Sequence, residues 1–235
     1  MLKIEGLTKI YSNGKVGAED INVLVEAGDI CAFIGPNGSG KTTTIKCALG
    51  INKMTKGEAF INGISIKENP IECKKQFAYV PDQPDVYPQL TGIQFLNFIA
   101  DIYQIDATTK EEQIKKYCAQ FEIINDLNTP IGAYSHGMRQ KIVLASALIR
   151  KPKLLVLDEP FVGLDPKAVF ELKNIMDEFT KSGGAIFFSS HVLDVVEKIC
   201  NKVVFIKGGK IIKSGLMADV KKDKSLEQIF LSEVQ

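Results

Sequence analysis

A glycine-rich segment early in the chain matches the pattern G-x-x-x-x-G-K-[ST] at every fixed position. Its glycines permit a tight loop whose backbone N–H groups point at an anion, and the helix that follows adds its positive end. In this pattern Lys41 reaches the β- and γ-phosphates of a nucleotide, and the Thr42 hydroxyl binds Mg²⁺. A plain glycine-rich turn is the alternative, which the full spacing and the preceding apolar strand disfavour. The predicted phosphate-binding residues are Gly35, Pro36, Asn37, Gly38, Ser39, Gly40, Lys41, Thr42 and Thr43.

Two adjacent carboxylates, Asp158 and Glu159, end the apolar run Leu154–Leu157. Acidic side chains at the carboxyl edge of a parallel sheet lie where ligands bind. Asp158 is placed to hold Mg²⁺ through water, and Glu159 is placed to take a proton from an attacking water. A Glu-Pro turn that merely leaves the strand is the structural alternative, and the phosphate-binding loop earlier in the chain disfavours it. We therefore predict Lys41 and Glu159 as catalytic residues.

Buried parallel strands are needed to position these segments, and short continuous apolar runs indicate them. The runs are Ile30–Ile34, Leu154–Leu157 and Ala185–Phe188. Helical periodicity follows them over Lys41–Leu49, Pro166–Thr180 and Val192–Ile199. Alternation of strands and helices implies right-handed crossovers and a doubly wound α/β sheet.

Two other parts of the chain depart from this alternation. The early strand candidates, among them Leu2–Ile4 and Ile21–Glu26, alternate or end at glycine turns and predict an antiparallel layer. Thr91–Ile149 has helical periodicity and no convincing strand, which predicts a helical insertion. We expect one domain over residues 1–235, with a core of residues 1–84 and 152–235 and a helical subdomain of residues 85–151.

Composition limits the classes of protein that fit. The 235 residues are 45% hydrophobic and carry a net charge of +1, which argues against a strongly basic surface for nucleic acid. No apolar run is long enough to span a membrane, and Met1–Ile10 lacks the apolar core of a secretion signal. The five cysteines form no C-x-x-C pair, which fits reduced thiols better than disulfides or a zinc site.

Residues 134–141, Tyr-Ser-His-Gly-Met-Arg-Gln-Lys, open the most apolar helix of the predicted insertion. Ser135 is a good N-cap, and a helix N-terminus with a free hydroxyl is also an anion site. Here the chain resembles the ATP-binding cassette family, whose signature is usually written L-S-G-G-Q. Ser135 and Gly137 keep that pattern, whereas His136 and Met138 depart from it. The resemblance covers nearly all of the chain and implies a P-loop NTPase fold: a RecA-like parallel core, an antiparallel β subdomain and an inserted α-helical subdomain.

The resemblance also implies roles for three residues outside the first two motifs. Asp165 falls in the family's D-loop, although it also fits as an N-cap before Pro166. His191 falls where the family has its switch histidine near the γ-phosphate, which makes it the third predicted catalytic residue, although a lone histidine at a strand end is usually structural. Tyr11 falls where the family stacks an aromatic ring on adenine, although an edge-strand aromatic is the alternative.

The family's Q-loop corresponds to residues 79–84, Tyr-Val-Pro-Asp-Gln-Pro. The slot that usually holds a glutamine near Mg²⁺ contains Asp82, and Gln83 follows one residue late. The two side chains cannot point the same way in extended chain, because direction reverses at each residue. A gap-free alignment favours Asp82 as the residue near the metal.

The resemblance implies an ATPase subunit that uses ATP and Mg²⁺ and energises a polytopic membrane permease in a separate chain. It implies export, similar to bacterial drug- and antibiotic-type exporters, from the cytoplasmic face of the membrane. Two such cassettes, identical or different, would pair head to tail with ATP between the phosphate loop of one and the signature of the other. A soluble cassette ATPase with a non-transport partner is the alternative, and a small-molecule phosphotransferase is a weaker one.

Overall fold

Two β-sheets form the centre of the computed structural model, which describes residues 1–84, 86–222 and 224–234. The predicted subdomain boundary at Asp85 and the predicted domain end at Gln235 therefore lie outside the described residues. The strands are β1 Leu2–Ile10, β2 Val16–Val25, β3 Ile30–Ile34, β4 Lys56–Ile61, β5 Ile64–Ser65, β6 Phe77–Val80, β7 Leu154–Asp158, β8 Ala185–Ser190, β9 Lys202–Lys207 and β10 Lys210–Leu216.

The larger sheet has the order β10-β9-β3-β8-β7-β6. Its strands pair in parallel from β9 to β6, and β10 adds an antiparallel edge. Every residue of β3, β7 and β8 is buried, because helices and the second sheet cover both faces. The predicted parallel core is confirmed.

The smaller sheet is antiparallel, with the order β2-β1-β4-β5, as the glycine turns predicted. β1 is longer than its sequence pattern indicated. Its pairing with β2 is shifted between Ile4 and Leu7 and again before Ile10. Such irregularities interrupt strict alternation of apolar and polar residues, which hides the second half of the strand from a pattern search.

The helices are α1 Lys41–Ala48, α2 Pro70–Gln76, α3 Gly92–Ile102, α4 Ala107–Gln120, α5 His136–Leu148, α6 Pro166–Lys181, α7 Leu193–Ile199, α8 Met217–Lys221 and α9 Leu226–Val234. Helices α3 to α5 lie between β6 and β7, which are neighbours in the sheet. The chain therefore leaves the core after β6 and returns beside it. Thr91, Asp106 and Ser135 cap these three helices by accepting bonds from backbone N–H groups of the first turn.

Alternate residues of β3 belong to two different apolar layers. Ala32 and Ile34 pack with the helical segment, whereas Cys31 and Phe33 pack with α1 and the antiparallel sheet. The glycine-rich loop follows the buried strand β3 directly and leads into α1.

Arg150, just after α5, ties the helical segment to the core. Its guanidinium carbon lies 3.4 Å from the centroid of the Tyr103 ring, and its Nη2 donates to the Phe77 carbonyl at 2.8 Å.

Candidate functional site

The glycine-rich loop joins β3 to α1 and folds back on its own lysine. Lys41 Nζ donates to the carbonyl oxygens of Gly35 at 2.7 Å and Pro36 at 3.3 Å. A Cβ at Gly35 would lie 2.4 Å from the Ile206 carbonyl oxygen, so the close approach of β9 requires glycine there. Gly40 has φ +107°, a backbone conformation that side chains disfavour. The loop is therefore tight and buries Lys41, which is 7% exposed.

Asp158 and Glu159 lie at the carboxyl edge of the parallel sheet, where Ser189 of the neighbouring strand meets both. Ser189 Oγ donates to Asp158 Oδ1, and the Glu159 N–H donates to the same hydroxyl at 2.9 Å. Asp158 is 1% exposed, and its Oδ2 has no hydrogen-bond partner among the described residues. A buried carboxylate oxygen without a donor can bind a cation or its water.

The Glu159 carboxylate lies between a lysine and a histidine. Its Oε1 is 3.7 Å from Lys41 Nζ, and its Oε2 is 2.9 Å from His191 Nδ1 and accepts the His191 backbone N–H at 3.3 Å. Glu159 has φ +50°, which is uncommon for a residue with a side chain and often marks a functional position. These contacts fix the direction of the carboxylate.

A cleft of about 230 Å³ lies over the loop and the two carboxylates. It is lined by Tyr11, Lys15, Val16, Gly17, Asn37, Gly38, Gly40, Lys41, Thr42, Thr43, Asp82, Asp158 and Glu159. Tyr11 follows β1, and its hydroxyl is hydrogen-bonded to Thr43 Oγ1 at 3.0 Å. Its ring contacts Gly17, where a Cβ would lie 2.7 Å from Tyr11 Cε2. The structure thus brings Tyr11, Asp82 and the first two motifs to one place.

The segment after β6 contributes Asp82 to this cleft. Within the described part of the segment, Asp82 lines the cleft and Gln83 does not. Burial raises the pKa of the nearby Tyr79, and the carboxylates of Asp158 and Asp82 raise it further. The Tyr79 hydroxyl therefore stays protonated beside these two acids.

Ser135, Gly137 and Asp165 form a separate group that does not line the cleft. Ser135 is exposed and accepts the Met138 N–H at 3.2 Å as the N-cap of α5. Asp165 caps α6 by accepting the Ala168 N–H at 2.8 Å. It also binds Lys141 Nζ at 2.7 Å. The hydrogen bond from Lys141 is the largest cause that lowers the pKa of Asp165, and the Ala168 N–H is the second. The local N-cap roles considered from the sequence are therefore present for both residues.

Ser189 is a functional-site residue that sequence analysis missed. Its signal was weak: two serines, Ser189 and Ser190, end an otherwise apolar strand. The relation of Ser189 to Asp158 is visible only in the register of β7 against β8, which places the two residues opposite each other. Gly17 and Lys15 were missed for a similar reason, because they reach the cleft from β2 and the turn before it.

A wider cleft, of about 730 Å³, lies away from these motifs. It is bounded by α4, by Lys153 just before β7 and by Gly184 just before β8, so it lies toward the amino ends of the core strands. None of the predicted site residues lines it.

Within the described ranges, no helix is both long and apolar enough to cross a membrane.

The family model described as "ABC transporter" matches residues 18–162. The chain is 30% identical over 236 residues to the ABC-type transporter ATP-binding protein EcsA of Bacillus subtilis, covering 98% of this chain and 95% of EcsA. It is 34% identical over 213 residues to the SkfA peptide export ATP-binding protein SkfE of the same organism, covering 91% of this chain and 88% of SkfE. A solved structure, an ATP binding subunit of an ABC transporter, is 30% identical to this chain and superposes with a TM-score of 0.94. The superposition covers 99% of this chain and 98% of the solved one.

Proposed function

Because this chain belongs to the ABC transporter family, as one of its ATP-binding, ATP-hydrolysing subunits, we propose that the cleft between Lys41 and Glu159 is where ATP is hydrolysed. One observation carries the proposal. A buried loop lysine lies 3.7 Å from a carboxylate that is held on its other side by His191. This arrangement places a positive charge for phosphates beside a base for water.

The loop residues, Gly35 to Thr43, bind the phosphate chain. Backbone N–H groups and the start of α1 supply fixed positive partial charge, which costs no reorganisation when charge develops on the transferred phosphoryl group. Lys41 is held at the loop by the Gly35 and Pro36 carbonyls, within reach of the β- and γ-phosphates. Tyr11 lies beside Thr43 in the cleft, and we propose its ring as the surface on which adenine packs.

Mg²⁺ fits the residues present at the carboxyl edge. Asp158 offers a buried oxygen without a partner, and Thr42 and Asp82 line the same cleft. Hydroxyl and carboxylate oxygens are the ligands that Mg²⁺ takes, usually with one or two carboxylates and several waters. When bound, the ion neutralises charge on the phosphates. We propose Thr42, Asp82 and Asp158 as the residues that hold it.

Glu159 is the general base. Water attacks the γ-phosphorus, its proton passes to the Glu159 carboxylate, and the bond to the ADP oxygen breaks to give ADP and phosphate. His191 orients Glu159 through the 2.9 Å contact from Nδ1, so that the carboxylate does not rotate away from the water. The family's switch role for His191 fits this position at the exposed end of β8.

Ser135, Gly137 and Asp165 serve a second cassette. They lie outside the cleft of their own chain, and Ser135 presents an exposed helix N-terminus. A second copy, or a related chain, placed head to tail would bring this anion site to the γ-phosphate held by the partner. Each site would then be completed only when the two chains close.

The free energy of ATP hydrolysis powers a membrane-spanning partner in a separate chain. Exposed apolar side chains support a docking surface near α3: Tyr87 is 54%, Phe98 41% and Ile102 56% exposed. SkfE, whose name describes peptide export, is a relative across most of the chain, which supports export and a location at the cytoplasmic face of the membrane. A soluble non-transport partner is the alternative.

The division into a core of 1–84 and 152–235 and a helical subdomain of 85–151 remains our proposal.

The test is Glu159→Gln, which removes the base and keeps the shape of the side chain. We expect ATP binding close to that of the wild type and hydrolysis lower by roughly a hundred-fold or more. Glu112→Gln, on the exposed face of α4, is the matched control and should hydrolyse ATP normally. Near-normal turnover in Glu159→Gln would show that this residue is not the base.

A further inference from the structure

His136, the first residue of α5, packs against a glycine in the loop between β7 and α6. A Cβ on Gly163 would lie 2.3 Å from His136 Cδ2 and 2.7 Å from its Nε2, so the imidazole occupies the space that a side chain at position 163 would need. Gly137 lies equally close, because its own Cβ would be 2.8 Å from the Gly163 carbonyl oxygen. The first turn of α5 and this loop are therefore in direct contact.

The same loop is fixed to α5 a second time, one helical turn further along. Lys141 Nζ lies 2.7 Å from Asp165 Oδ2, and the Lys141 side chain is only 12% exposed. Asp165 in turn caps α6. The loop therefore cannot shift relative to α5 without breaking a partly buried ion pair and losing the imidazole contact.

At its other end the loop begins at Glu159. The Val162 N–H donates to the Glu159 carbonyl at 3.2 Å, which closes a turn directly after the proposed base. Phe161 is 7% exposed and packs edge-on against Phe188 of β8, with ring centroids 5.8 Å apart. Gly163 and Glu159 are thus joined by one short turn, which Phe161 ties to β8.

We propose that His136 is a positioning residue that holds Gly163, and through it the turn carrying Glu159, in register with the start of α5. Gly163 is matched to His136, because its missing side chain leaves the space that the ring fills. This inference rests on the proposed role of Glu159. It assigns a function to the histidine that departs from the family signature.

The test is a double-mutant cycle of Gly163→Ala and His136→Gly. The alanine methyl would collide with the far end of the exposed imidazole, so the ring either turns away and loses its contact with the loop or pushes the loop aside. In both cases the positioning contact is lost, and we expect kcat to fall about ten-fold while ATP affinity stays within about two-fold. In the double variant the methyl has room, and kcat should return to within about three-fold of His136→Gly alone. The strain of alanine at φ +78° is present in both variants, so their difference isolates the contact.

Gly63→Ala is the matched control. Gly63 has φ +81° and no atom within 4 Å of the added methyl, so it carries the backbone strain without the collision. Its kcat should equal that of the wild type. If Gly163→Ala fails to fold, recovery of folding in the double variant supports the contact, and failure of both overturns it.

Three results would overturn the positioning role: normal kcat in Gly163→Ala, a double variant as impaired as the product of the single effects, or a lower unfolding midpoint with unchanged kcat. Failure of the proposed function looks different. A wild-type chain that does not hydrolyse ATP would contradict the role of Glu159, whereas the same cycle measured on urea midpoints would still report whether His136 and Gly163 interact.

Discussion

The glycine-rich loop and the start of α5 both present a helix N-terminus, yet their surroundings differ. At the loop, Lys41 is 7% exposed and binds carbonyl oxygens of its own chain, with Asp158 and Glu159 beside it. At α5, Ser135 is exposed and caps its own first turn, while His136 and Gly137 contact the neighbouring loop at Gly163. One region encloses a binding cleft, whereas the other presents a surface.

From this difference we propose that the phosphate site is built in two stages. The enclosed region is completed by folding, since strands β3, β7 and β8 bring its residues together. The outward residues Ser135, Gly137 and Asp165 do not line this cleft. Their proposed ligand is therefore a phosphate carried by another chain. The following predictions test that division, beginning with the largest expected effect.

Removing the lysine should disable the enclosed region. Lys41→Ala deletes the charge that we propose for the β- and γ-phosphates, and a charge-assisted contact of this kind contributes about 2–3 kcal/mol, or roughly 30- to 150-fold in ATP affinity. Equilibrium binding of a fluorescent ATP analogue measures the loss, with Lys46→Ala on the same helix as the control. Unchanged affinity in Lys41→Ala would contradict a binding role for the loop.

Ser135→Ala should affect the two regions differently. We expect single-chain ATP affinity to stay close to that of the wild type and hydrolysis to fall by about ten-fold, because only the outward region is altered. Loss of the N-cap should also cost about 1 kcal/mol of stability. ATP binding and ATPase rate measured on the same preparation separate these effects. Equal losses of binding and hydrolysis would place Ser135 in its own chain's site.

Mixing two impaired variants sharpens that result. In a head-to-tail pair of Lys41→Ala with Ser135→Ala, one site combines both defects and the other is intact. A random mixture should therefore recover about a quarter of wild-type ATPase activity, since half the pairs are mixed and each has one good site. Activity no higher than the average of the two separate variants would mean that each site belongs to a single chain.

The enclosed region was predictable from sequence, and the connection to the outward region was not. Residues 35–43 are contiguous and their pattern has a mechanism, so composition and spacing were sufficient. Ser189 required strand register, and the contact of His136 with Gly163 required knowing how α5 lies against the loop after β7. Helix α8 has only 5 residues, too few to show a period of 3.6.

A smaller effect is expected at the entrance to the enclosed region. Asp82→Gln removes a carboxylate near the proposed metal, so ATPase activity should survive but require several-fold more Mg²⁺. Asp82→Ala should be more impaired, because it also removes the oxygen ligand, and Gln83→Ala should do little. ATPase rate against Mg²⁺ concentration compares the three. A crippled Gln83→Ala with Asp82→Gln equal to the wild type would show that the gap-free alignment is wrong.

The smallest effect concerns acid stability at the outward region. The Lys141 bond and the Ala168 N–H lower the pKa of Asp165 below that of an ordinary carboxyl, which is about 3.9. The unfolded chain therefore binds a proton at higher pH than the folded chain does. The stabilisation by Asp165 is present above about pH 4 and is lost as pH falls through its lowered pKa. Because Asp165 is half exposed, the effect should be well below 1 kcal/mol.

Asp165→Asn separates the ion pair from the cap, since asparagine caps helices as well as aspartate does but carries no charge for Lys141. We expect the urea midpoint of the wild type to fall more between pH 6 and pH 3 than that of Asp165→Asn, and the difference to shrink in about 0.5 M salt as the ion pair is screened. Asp106→Asn is the control, because the pKa of Asp106 is lowered mainly by its cap bonds to Thr109. The acid effect of Asp106 should respond less to salt, because hydrogen bonds and not an ion pair are its main cause. Identical acid dependence in the wild type and Asp165→Asn would show that Lys141 does not hold the loop through this charge, and would leave the contact of His136 with Gly163 as the link between α5 and the turn that carries Glu159.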